Sequence, residues 1–241
     1  MWYNIIRVIV MKDKLCKIFS FVFYALSLFI LLFCIKVRTI SDVYIYREFR
    51  LLLLFICCVF IYLAGYLLVK ELGYSKKILK VNLIIYFIIY TITIVTLTLF
   101  DEIFGRNGFV LIDWNRELFD SYMKYSFNII PFSTIKLYIN GYMNNIVSFD
   151  NFAINIFGNL FAFMPYGVFI PLIFKKVNKY KKFLLLMILI VVIIEGLQFS
   201  TLSGSCDIDD LILNVLGASV IYLIFNFKVV KNVIKKIFLF E

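Results

Sequence analysis

Residues 175–202 read Lys175-Lys176-Val177-Asn178-Lys179-Tyr180-Lys181-Lys182, then Phe183-Leu-Leu-Leu-Met-Ile-Leu-Ile-Val-Val-Ile-Ile-Glu195-Gly-Leu-Gln198-Phe-Ser-Thr-Leu202. Five lysines with no acid among them precede 20 residues that contain no Lys or Arg and a single acid, Glu195. At about 1.5 Å of rise per residue, such a run covers roughly the 30 Å hydrocarbon core of a bilayer as one helix. The lysine cluster marks the end held on the cytoplasmic side, because positive residues in short loops stay there. This stretch therefore predicts a membrane-spanning helix, and its polarity predicts which way the helix points.

The rest of the 241-residue chain repeats the pattern. It is 63% hydrophobic and 17% charged, against about 45–50% and 25% in soluble domains, which excludes a soluble globular protein. Apolar runs at 18–35, 51–69, 81–100, 152–174, 183–202 and 208–227 each suffice to cross a bilayer. The expected fold is all-α, a polytopic helical membrane protein with about six transmembrane helices. There is no His, so Ser-His and Cys-His nucleophile pairs, imidazole acid/base chemistry and His-ligated metals are excluded. The net charge of +10 flanks the spans instead of forming one basic face, which argues against a nucleic-acid partner. Cys16, Cys34, Cys57, Cys58 and Cys206 lack paired metal-ligand spacing and read as small apolar fillers. The first run lacks a small-x-small cleavage site, so it is read as a retained span and not as a signal peptide.

With the N-terminus inside, the segments on the inner side hold 17 of the 25 Lys and Arg residues. Both termini are therefore expected to be cytoplasmic, in the cell membrane. The long connection 101–151 then lies outside, and it is rich in aromatics, including Phe104, Phe109, Trp114, Phe119, Tyr122, Tyr125, Phe127 and Phe132. Phe119, Tyr122, Met123, Phe127 and Ile130 recur at helical spacing opposite Glu117, Asp120, Ser121, Lys124 and Asn128. This predicts an amphipathic interfacial segment stopped by Pro131, with a further turn at Asn140-Gly141. The expected organisation is an N-terminal extension with two spans (1–80), a membrane domain (81–227) and a basic cytoplasmic tail (228–241).

Polar residues inside the spans are the candidate site, since a charge at a helix centre costs about 2.5 to 3.5 kcal/mol on insertion scales. Glu195 lies seven residues from the external end of its span, roughly 10 Å below the outer boundary. Gln198 shares its face at i+3. Asp207, Asp210, Asn214 and Gly217 form one stripe of the sixth span, and Asn155, Gly158, Asn159 and Ala162 one stripe of the fourth. The derived orientation brings the three stripes to the outer half of the membrane. Two readings compete for them. Small residues and amides glue helices together, and Asp207 and Asp209 can cap a helix start. Alternatively, Glu195 and Asp210 share a proton, a cation or a basic ligand.

Four ordered motifs carry a resemblance to a known family: Asn128-Ile-Ile-Pro-Phe-Ser-Thr-Ile135, Asn155-Ile-Phe-Gly-Asn-Leu-Phe-Ala-Phe-Met-Pro-Tyr-Gly167, Glu195-Gly-Leu-Gln198 and Asp207-Ile-Asp-Asp-Leu-Ile-Leu-Asn-Val-Leu-Gly217. Together they resemble the VanZ-like family of integral membrane proteins over about 81–227. The resemblance implies a multi-span plasma-membrane protein of a Gram-positive-type bacterium. It also implies an association, in some members, with reduced sensitivity to teicoplanin-like lipoglycopeptides. Where relatives often carry an Arg shortly before the Asp run, this chain has Ser203-Gly-Ser-Cys206.

The functional expectation is a cell-envelope protein, not demonstrably an enzyme. Its outer-facing pocket of Asn155, Asn159, Glu195, Gln198, Asp207, Asp210 and Asn214 would engage a lipid-linked or amphiphilic molecule, such as a membrane lipid, a lipid-linked cell-wall precursor or a lipoglycopeptide. No cofactor is expected under that reading. A second reading holds Mg²⁺ or another hard cation on the carboxylates and acts on a phosphorylated lipid. A third is a proton-coupled carrier with Glu195 alternating protonation.

Overall fold

A computed structural model describes residues 2–39, 47–100, 115–177, 179–202 and 204–237. The segments Val10–Lys36, Phe49–Glu71, Lys77–Leu99, Phe149–Ile173, Tyr180–Thr201 and Ile208–Asn226 are long and apolar enough to cross a membrane. The chain is thus an all-α, multi-pass membrane protein. Helices suit the solvent because each backbone N–H and C=O finds its partner within the segment.

The chain divides into two compact units, Met1–Ile89 with Ile234–Glu241, and Tyr90–Val233. In the first, α1 (Trp2–Thr39) packs along α2 (Arg47–Tyr66), which runs into a π-turn at Leu67–Glu71. Ser20 donates to the Ala64 carbonyl at 3.1 Å and Ser27 to that of Cys57 at 3.3 Å. Asn82, on α3 (Lys77–Phe100), donates to the Ile61 carbonyl at 3.0 Å and accepts from the Tyr24 hydroxyl at 3.1 Å. Gly65 makes room for it, since a Cβ there would lie 2.3 Å from the Asn82 amide nitrogen. These are the small-residue and amide contacts that hold helices together where water is absent.

The second unit carries α4 (Arg116–Tyr125), β1 (Phe127–Asn128), α5 (Ser133–Met143), α6 (Phe149–Ala153), a π-turn at Ile154–Gly158, α7 (Asn159–Ala162), α8 (Tyr166–Ile173), α9 (Tyr180–Thr201), β2 (Cys206–Asp207), α10 (Ile208–Asn226) and the start of α11 (Lys228–Ile237), whose residues from Ile234 belong to the first unit. Helix α10 packs on α7, α8 and α9. Half of its hydrophobic window is buried, the largest share among the six candidate spans. Two glycines set the contacts. A Cβ on Gly217 would lie 1.8 Å from the Leu160 carbonyl oxygen, and one on Gly167 would lie 2.5 Å from that of Ala218.

Two elements differ from the sequence expectation. The fourth span is not one regular helix but α6, a π-turn, α7 and α8; between α7 and α8, Pro165 offers no N–H and interrupts the ladder. The Ala162 carbonyl released by that break accepts the Tyr90 hydroxyl, and Tyr166 N bonds instead to the Phe163 carbonyl at 3.1 Å. The amphipathic helix expected to run to Ile130 ends at Tyr125. Backbone pairing takes over there, with Phe127 and Asn128 lying parallel to Cys206 and Asp207. Its apolar face meets protein: Phe119, Tyr122 and Phe127 all pack their rings on Phe199 of α9, with centroids 5.8 to 6.4 Å apart. Phe104, Phe109, Trp114 and Ser203 lie outside the described residues.

Candidate functional site

The site is assembled at the start of α10, where Asp207, Asp209 and Asp210 take three different tasks. Asp207 is the N-cap of α10. Its side chain accepts from the Asp209 N–H at 2.8 Å, satisfying one of the donors that a helix start leaves open. The same oxygen, Oδ1, accepts from the Asn128 amide at 2.9 Å. Asp209 is 1% exposed and points the other way, into the start of α5. Its carboxylate accepts the N–H of Phe132, that of Thr134 at 2.8 Å and that of Ile135 at 3.0 Å. Phe132 has a φ of 65°, a left-handed conformation that a phenylalanine adopts only when its surroundings enforce it. A buried carboxylate with several backbone donors is such an enforcement.

Asn128 completes the junction. Its Oδ1 accepts from Ile130 N at 2.9 Å, folding the chain ahead of Pro131, and its Nδ2 also reaches Thr134 Oγ1 at 3.1 Å. The segment 128–135 and the acidic run at 207–210 are thus one hydrogen-bonded body, although about 80 residues separate them in sequence. Capping at the start of α10 was within reach of sequence reasoning. Capping of α5 by Asp209 was not, because nothing in periodicity or spacing links Asp209 to Thr134.

Beside this junction lies an open cleft of about 370 Å³. Glu195, Asp207, Asn128 and Cys206 line it, together with apolar surfaces from Phe127, Ile129, Val192, Phe199, Ile208 and Leu211. Glu195 Oε2 accepts from Asp207 N at 3.1 Å, so the fifth span's carboxylate is tied to the entry of the sixth. The Cys206 thiol is pushed up to about 11, mostly by burial and further by the negative charges of Glu195, Asp207 and Asp210. Burial, with Asp210 and Asp207, also pushes the Tyr138 hydroxyl up. Glu195, Asp207 and Asp210, the three carboxylates that the sequence reading grouped in one pocket, thus act on one small region.

The other expected site residues divide. Asn159 donates to Asp210 Oδ1, joining the fourth and sixth spans. Asn155 donates instead to the Asn151 carbonyl one turn back, at 2.8 Å. Gln198 is buried and donates to the Thr98 carbonyl at 3.0 Å, joining α9 to α3 within the second unit. Asn214 is buried one turn beyond Asp210, and its Oδ1 has no hydrogen-bond partner among the described residues. None of these four lines the cleft among its described lining residues, which do include Asn128, Cys206 and Phe199. Among the described residues, no three Cys, Asp or Glu side chains are arranged so as to hold a metal ion.

Comparison with curated proteins and with solved structures gave no match in either case. The family model described as VanZ/LLP1 matches residues 87–230. That stretch takes in α4 to α10, and with them the 128–135 turn, the broken fourth span, Glu195 and the acidic entry of α10. With more than half of its length matched, and with that half containing the whole junction and cleft, the chain belongs to the VanZ/LLP1 family.

Proposed function

We propose that this protein binds a lipid-linked or amphiphilic molecule of the bacterial cell envelope in the cleft lined by Glu195 and Asp207. In this reading the cleft opens toward the outer leaflet, and binding there contributes to reduced sensitivity to teicoplanin-type lipoglycopeptides. The observation that carries the reading is the composition of the cleft, an almost wholly apolar surface of aromatic and aliphatic side chains with Glu195 and Asp207 among its lining residues. A volume of about 370 Å³ lies within the range of small-molecule sites, which combine mostly apolar walls with a few polar groups that fix orientation. The sidedness follows from the lysine distribution, which leaves the Glu195 end of α9 opposite the Lys175–Lys182 end. Asn159 and Asp210 hold the fourth and sixth spans together, and Gln198 holds α9 to α3.

The test is complementation in a strain lacking the gene, with lipoglycopeptide sensitivity as readout. The double variant Glu195→Gln/Asp207→Asn removes both charges and keeps an oxygen acceptor at each position. It should fail to restore the wild-type sensitivity while accumulating in the membrane at the wild-type level. Full complementation at that level would remove the cleft from the account.

A further inference from the structure

We propose that α11 is a lipid-binding element, which lies along the membrane surface where the sixth span ends and holds anionic phospholipid head groups. It is independent of the cleft. Residues 228–237, which the sequence reading takes only as part of a basic tail, form a helix in the structure. Helical spacing puts Val229, Val230, Val233, Ile234 and Ile237 on one arc, and Lys228, Lys231, Asn232, Lys235 and Lys236 on the other. No acid stands between Asp210 and Glu241, so the charge of the polar arc is uniformly positive.

The break from α10 decides where this helix runs. Phe227 is extended, with φ −60° and ψ 129°, so α11 does not prolong the axis of α10. The Phe227 carbonyl accepts Lys231 N–H at 2.9 Å, closing the first turn of the new helix one residue after the span. Because Ile208–Asn226 is long and apolar enough to cross a bilayer, α11 begins at the bilayer's surface. Its apolar arc is open there, with Val229 75% and Val233 51% exposed. Burial at the boundary of the acyl chains takes that area out of water, and the lysine stems can follow while their ammonium groups stay among the head groups. Charge then selects the lipid. Each ammonium offers three donors and no acceptor, and lysines beside an anionic leaflet add their attractions to phosphate. A soluble partner would have to bring an apolar groove and an acidic rim to this spot, whereas a bilayer holding anionic lipid has both where the chain emerges.

The experiment uses the full chain in nanodiscs, with a single Trp as reporter. In a background of Trp2→Phe and Trp114→Phe, Val233→Trp puts the reporter on the apolar arc and Asn232→Trp puts it on the polar one. Both positions are exposed, so the fold tolerates the larger ring. The discs hold equal amounts of phosphatidylcholine and phosphatidylglycerol, and one of the two carries bromine on its acyl chains, which quenches a Trp in contact. The Val233→Trp reporter should be quenched by both, and about twofold or more strongly by brominated phosphatidylglycerol, with the Asn232→Trp reporter quenched weakly by either. Replacing Lys228, Lys231, Lys235 and Lys236 together by Gln should make the two lipids equal. Raising salt from about 0.1 M to about 1 M should do the same, since the screening length falls from about 10 Å to about 3 Å. Equal quenching by the two lipids at low salt, or a preference that survives loss of the lysines, would overturn recognition of anionic lipid. An unquenched Val233→Trp reporter, as a soluble partner or a second copy on this face would give, would overturn the proposal entirely, and so would equal quenching of the two reporters.

Discussion

Asp209 shows how one carboxylate decides a local fold. Its side chain accepts from the N–H groups of Phe132, Thr134 and Ile135, and the remaining first-turn donor, Ser133 N, goes to the Ile130 carbonyl at 3.3 Å. The start of α5 is thereby fully satisfied although Phe132 supplies no side-chain cap. Asp209→Asn would replace one acceptor oxygen by an amide that faces backbone donors. The expected loss of stability is about 2 to 4 kcal/mol, because buried donors are left unpaired. Asp207→Asn should cost less than about 1 kcal/mol, because Asn is an equally good N-cap. Thermal unfolding of both variants in detergent checks this, and equal shifts would contradict the assignment of separate tasks. Legibility in sequence follows the same division. Glu195 stands out in an apolar span by its cost alone. Asp209 does not, since its role depends on a turn some 75 residues earlier in the chain.

At the scale of elements, the contact between α7 and α10 depends on the absence of a side chain. Gly217 lies against the Leu160 backbone so closely that a Cβ would fall 1.8 Å from its carbonyl oxygen. Gly217→Ala must separate the helices or bend one of them, and overpacking of that kind costs about 1 to 3 kcal/mol. Gly158 has no such neighbour within 4 Å and is exposed, so Gly158→Ala should change stability by less than about 0.5 kcal/mol. Paired measurements of unfolding temperature and of membrane yield distinguish the two, and a tolerated Gly217→Ala would contradict the packing described here. Both glycines lie on stripes visible in the sequence, yet only one is buried. The π-turn at Ile154–Gly158 and the break at Pro165 alter how the fourth span presents its residues, which helical spacing cannot anticipate. The six spans themselves were fully legible, since length and apolarity suffice for them. The short β1–β2 pairing was not, because two-residue strands leave no periodic trace.

At the scale of the whole molecule, the proposed function requires that six crossings return both ends of the chain to one side. From the distribution of Lys and Arg, that side is expected to be the cytoplasm. The proposed function depends on this sidedness more than on any single contact, because a cleft beside the Glu195 end of α9 meets envelope amphiphiles only from the outer leaflet. The decisive measurement places a reporter active only in the cytoplasm after Glu241, and, separately, within the Asn144–Asn145 turn that follows α5. The account expects activity from the first fusion and none from the second, with the converse for a reporter active only outside. Activity of the Asn144–Asn145 fusion in the cytoplasm, with the carboxyl end outside, would turn the cleft inward and contradict the account at its centre.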